Sequence, residues 1–182
     1  MRLFVFIYSL LTYACCTSIA LANDPKTLEW DELMPPGYVE SLLEQNNSDT
    51  SSAQNFFEWD DNSDQAQAAY DELKAKLSSA PIVPELNNQH VRLAGFIVPL
   101  NFDFDTETYS EFLLVPYYGA CIHVPPPPSN QVVYATVSKP LKETTLDYAV
   151  WASGILTTKS ASSEYAFAGY TMKEVELSEY TE

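Results

Sequence analysis

Cysteine, histidine and positive charge are all scarce in this chain. It has 3 cysteines, 2 histidines and 9 Lys+Arg against 25 Asp+Glu. Two of the cysteines, Cys15 and Cys16, fall in an apolar N-terminal stretch, so Cys121 alone remains beyond it. One thiol closes no internal disulfide, and the domain must be held by its core. There is no paired-cysteine zinc motif, no Gly-rich phosphate loop and no Ser-centred nucleophile elbow. The formal charge of −16 repels nucleic acid and anionic membrane surfaces and favours cations and basic partners. Scattered acids of this kind also serve solubility alone.

The N-terminus has the pattern of an export signal. Arg2 supplies the positive region, Leu3 to Ala14 is almost unbroken in apolar character, and Ala20-Leu21-Ala22 fits the small-x-small cleavage rule. The expectation is a signal peptide over residues 1–22, a first mature residue Asn23, and a periplasmic or secreted protein without stable membrane insertion. The apolar run is short for a membrane span, which takes about 20 residues. Lipoprotein processing at Cys15 or Cys16 is the alternative, and the bulky Tyr13 fits it poorly.

Past the leader, residues 23–62 read as an N-terminal arm and a polar loop. Met34-Pro35-Pro36-Gly37 ends any helix begun at Thr27, and Trp30 and Leu33, three residues apart, can anchor the arm. The stretch 44–54 is polar and of low complexity, the pattern of a mobile loop. A helix is expected over about 63–77, within a segment 63–80. Ala66, Tyr70, Leu73 and Leu77 form its apolar stripe, with a cap among Asp61, Asn62 and Ser63. The stripe is most simply a packing face.

From residue 90 the texture is β, within an expected β-barrel domain over 81–182. Strands are expected at Val91–Leu100, Glu111–Val115, Gln131–Val137, Tyr148–Leu156 and Ala168–Leu177. Gly95 and Gly154 sit inside two of them, where a small closed barrel turns its corners. Alternation points Leu93, Ile97, Leu114, Val133, Val150 and Val175 inward.

The chemistry concentrates at residues 119–131. Cys121 and His123 stand at i and i+2, on one face if the chain is extended, and Pro125–Pro128 hold the next stretch stiff. Three readings stay open. In the first, Cys121 and His123 bind zinc or another transition metal, with His90 as a third ligand and Asp103, Asp105 or Glu111 completing the shell. In the second, the proline loop is a preorganised contact for a peptide or protein partner. In the third, His123 activates the thiol of a thiol-dependent enzyme, though no orienting third group is evident. Against all three stands a bland alternative, a buried cysteine beside a histidine that satisfies loop backbone. Tyr117 and Tyr118 are next to the motif, and exposed aromatics on such a barrel can stack on sugars or bases.

The string Leu113 to Val124, followed by four prolines and Ser129-Asn130-Gln131, resembles a family of exported bacterial proteins of unknown function. The Trp30–Pro36 arm, the Val91–Leu100 strand and the Ala168-Gly169-Tyr170 step extend the resemblance over most of residues 28–180. The loop at 44–62 is longer than the family pattern. The resemblance implies a mainly β fold, a small five-stranded OB-like β-barrel with an N-terminal helical arm. It also implies a non-enzymatic accessory role in the cell envelope, with an envelope transporter or other envelope protein as partner and zinc as the candidate cofactor.

Overall fold

The computed structural model describes residues 24–41, 44, 63–120, 127–142 and 148–181. The leader, the polar loop apart from Glu44, and both Cys121 and His123 lie outside the described residues. Among the described residues, no helix is long and apolar enough to cross a membrane.

Strand β2 (Gln89–Leu100) is the spine of the molecule. Its first half pairs antiparallel with β5 (Val150–Thr157) from Gln89 to Gly95. Its second half pairs with β3 (Thr108–Val115) from Phe96 to Leu100. The change of partner falls at Gly95, where a Cβ would stand 2.8 Å from the Val115 carbonyl oxygen. Gly154 likewise sits 2.6 Å, at Cβ, from the Lys173 carbonyl oxygen, where the β5–β8 register slips. Both glycines let strands approach too closely for any side chain.

The barrel closes in the order β2-β3-β4-β8-β5 and back to β2, with β4 at Val133–Lys142 and β8 at Tyr170–Glu179. The β4–β8 pair is parallel and the others are antiparallel. This is the five-stranded Greek-key order of an OB barrel. The inward set Leu93, Ile97, Leu114, Val133, Val150 and Val175 is buried in one core cluster. A register shift between Tyr109 and Glu111 turns Tyr109 inward with Phe112 and Leu114.

The arm starts as a strand, not a helix. β1 (Lys26–Leu28) lies parallel on β2, and a 3₁₀ turn, Trp30–Leu33, comes after it. The Leu33 side chain is fully buried, and the Trp30 indole donates to the Ala94 carbonyl at 2.7 Å. The helix expected over 63–77 runs Asp64–Ser78, capped by the Ser63 side chain accepting from the Ala66 amide. Its stripe Ala66, Tyr70, Leu73 and Leu77 is half-buried and no helix residue is fully buried.

Three expected strands begin late: β5 at Val150 and not Tyr148, and two more at a shared corner. Ser129–Gln131 is a 3₁₀ turn, and β4 starts only at Val133. Phe167–Ala168 is β7, paired with β6 (Ala161–Ser162) in a small hairpin, so the last barrel strand starts after Gly169. The last two corrections have one cause, a tertiary clamp at this corner.

Candidate functional site

In OB barrels, ligands meet the outer face of the second and third strands, here β3 and β4. The chain itself covers much of that face. Leu113 and Val115 point outward from β3, yet neither is exposed. They form a second cluster with Leu100, Ala120, Val132, Ala166 and Ala168. Ala120 comes from the β3–β4 loop, and Ala166 and Ala168 from the β6–β7 region. Half-buried Phe96 joins this cluster and meets the Tyr118 ring edge-on at 6.0 Å. What stays open is a polar cleft of about 390 Å³ lined by Tyr134, Thr136, Lys159, Ser160, Ser162, Thr171 and Lys173, among others.

The described residues on either side of the Cys-His-Pro stretch belong to this region. Residues 121–126 lie outside the described residues, and both flanks are described. Ala120 is buried on one side, and Pro127, Ser129 and Asn130 are buried on the other. Pro128 is half-buried with φ −60° and ψ 147°, polyproline geometry. The second half of the proline run is therefore packed into the fold. Pro125 and Pro126 lie outside the described residues.

The exit is held by hydrogen bonds to three distant elements. The Gly169 amide donates to the Ser129 carbonyl at 2.7 Å. Asn130 Nδ2 donates to the Pro81 carbonyl at 2.8 Å, and Gln131 Nε2 to the Trp30 carbonyl at 3.0 Å. Gly169 is required here, because a Cβ would stand 2.9 Å from the Ser129 oxygen and 3.0 Å from an Ile82 methyl carbon. Next to it, the buried Tyr170 hydroxyl accepts from the Val83 amide at 2.7 Å and donates to the Leu33 carbonyl at 2.9 Å. Burial raises the Tyr170 phenol above its usual value, which keeps that donor protonated. Asn130 Oδ1 is buried and has no hydrogen-bond partner among the described residues. Sequence reasoning does not reach these roles. The Ser-Asn-Gln and Ala-Gly-Tyr steps are visible as a pattern, but nothing in either one names the other as its partner.

His90 is exposed on β2, opposite Ile155. Glu111 lies opposite Leu100, and Asp103 and Asp105 sit in the β2–β3 turn. Ten residues of strand separate His90 from Leu100, about 33 Å of contour. Even a right-angle bend at Gly95 leaves roughly 23 Å, so one metal ion cannot draw on both ends. The carboxylates also have other tasks. Asp103 Oδ1 accepts from the Thr106 and Asp105 amides, and these bonds hold its carboxyl below the usual range. Glu111 accepts from Asn101 at 2.9 Å. Burial, then the hydrogen bond and charge of Glu111, push the Tyr134 phenol up to about 12. Among the described residues, no three His, Cys, Asp or Glu are grouped to hold a metal.

The molecule is thus a small OB-barrel protein whose usual ligand face is largely covered by its own β3–β4 loop and β6–β7 hairpin. The chain belongs to DUF3299, a family described as a protein of unknown function, whose model matches residues 30–179. A similar solved structure is the crystal structure of a DUF3299 family protein from Pseudomonas aeruginosa PAO1. It is 35% identical, with a TM-score of 0.60, over 87% of this chain and 99% of that one. No curated protein matches the chain.

Proposed function

We propose that this chain is a non-enzymatic, exported accessory protein of the cell envelope that binds through the segment centred on Cys121 and His123. The sharper form of the reading is a zinc site made by that thiolate and imidazole. His90 or a residue of an envelope partner, such as a transporter subunit, would supply further ligands. One observation carries the reading: the segment is short and both of its ends are buried in the outer cluster and the clamp. Ligand groups carried between two fixed ends cost less entropy to bring together than groups on a free chain. Cys121 and His123 are soft and borderline ligands suited to zinc.

Calorimetric titration of the reduced, untagged protein with zinc tests this. Saturable binding tighter than about 10 μM, or roughly 7 kcal/mol, is expected, with proton release and weakening at acid pH. Cys121→Ser and His123→Ala should each abolish it while leaving the unfolding midpoint unchanged. No saturable binding in the parent protein would overturn the zinc reading. So would binding retained in both variants.

A further inference from the structure

A second surface, sharing no residue with the clamp, carries an aromatic and acidic cleft. It is lined by Tyr148, Ala149, Val150, Leu177, Ser178, Glu179 and Tyr180 and has a volume of about 540 Å³. Val150 and Leu177 form its apolar floor, where the ends of β5 and β8 close the core. Tyr148 is 71% exposed and Tyr180 43% exposed, although each offers a large apolar ring. Tyr180 is not loose. Its ring lies 5.3 Å from that of Trp151, tilted by 36°. Trp151 in turn carries the Arg92 guanidinium 4.5 Å from its ring centre. Arg92 is itself held by a 2.7 Å hydrogen bond to the Thr27 hydroxyl on the arm. Tyr180 is therefore backed by Trp151, and Trp151 in turn by the Arg92 guanidinium.

We infer that this cleft binds an alkylammonium group, held against the Tyr148 and Tyr180 rings with Glu179 as counter-charge. Ring faces attract cations through their quadrupole, and quaternary ammonium groups are the usual occupants of such sites. The occupant's sign is set by the charge distribution. Among the described residues, Glu179 is the only charged one lining the cleft, and the whole chain carries −16. That field concentrates cations at the surface and disfavours anions. The apolar floor suits the methyl or methylene groups around the nitrogen. The site shares no residue with the zinc reading, so the two stand or fall separately.

The test compares choline with its neutral isostere 3,3-dimethylbutan-1-ol, which has the same shape without the charge. Each is titrated into the full chain and followed by calorimetry and by the Trp151 indole resonance. Choline should bind saturably and shift that resonance, with the isostere weaker by about tenfold or more. Tyr180→Ala and Tyr148→Ala should each weaken choline about tenfold. Tyr180→Phe should retain binding, and Glu179→Gln should weaken it severalfold. Cys121→Ser should leave it unchanged. Phosphatidylcholine vesicles distinguish the sources of the group. Association with vesicles that choline competes away assigns it to a lipid headgroup, and choline binding without vesicle association assigns it to a free ligand. Equal affinity for the isostere would overturn the inference, as would preference for methyl glucoside over choline or no saturable binding of choline or of the vesicles.

Discussion

The two faces of β3 reach the same dryness by different means. Inward-facing Tyr109, Phe112 and Leu114 are buried because five strands close around them. Outward-facing Leu113 and Val115 are buried because a loop and a hairpin come back to cover them. Four consecutive residues, Phe112 to Val115, are consequently buried. An antiparallel strand in a small barrel ordinarily gives one face to solvent. Here the second face buries Ala120 and Val132, which flank the Cys-His-Pro stretch in sequence. The inner face is common property of the fold, whereas the outer one is specific to the loop it carries.

Breaking the inner face should have the largest effect. Leu114→Ala removes a fully buried side chain from the barrel core and should cost about 2–5 kcal/mol. Denaturant unfolding measures it. A loss of only a few tenths would mean that the inner face does not hold the barrel.

Breaking the outer mount should cost less and act locally. Gly169→Ala forces a methyl group against the Ser129 carbonyl and Ile82, a strain of about 1–3 kcal/mol. Hydrogen exchange should quicken at residues 127–131 while mid-strand amides of β2 and β5 keep their protection. Uniform loss of protection across the barrel would show that the two faces are one cooperative unit.

A third, smaller effect sharpens the comparison at the edge of the outer face. Tyr134 holds its proton more tightly when folded, with its phenol raised from 10.0 to about 12, chiefly by burial and then by Glu111. Between these values the folded state binds more protons than the unfolded one, so stability is full below pH 10 and falls as pH rises toward 12. Unfolding midpoints across that window should drop less steeply in Tyr134→Phe than in the parent protein. Equal slopes would place Tyr134 in ordinary solvent.

Much of the barrel is legible in the chain itself. Runs of β-branched and apolar residues, punctuated by Gly95 and Gly154, locate five strands and six inward positions, because alternation and close approach are local signals. The helix cap is legible to within Asp61, Asn62 and Ser63, and the structure gives it to Ser63. The starts of β4 and β8 are not, since Gln131 and Ala168 have strand-like neighbours but are claimed by the clamp and the hairpin. The β1 strand escapes notice because three residues carry no readable period, and its strand state depends on the β2 edge beside it.

The candidate site divides the same way. Residue type alone marks Cys121 and His123, because the one cysteine beyond the N-terminal apolar stretch lies near one of two histidines. It cannot separate His90 from Asp103, Asp105 and Glu111 as co-ligands, because distance along β2 becomes distance in space only once the strand is placed. Nor can it find the platform of Arg92, Trp151 and Tyr180, whose members come from three strands or their ends. By itself, the order of residues determined which segments extend, where they bend and which face turns inward, all consequences of a two-residue period and of glycine's missing side chain. Closure of the barrel decided the rest: which outward face is covered, what holds Ser129 to Gln131, and which aromatic rings meet. Those contacts join residues tens of positions apart, and no local period encodes a partner at that distance.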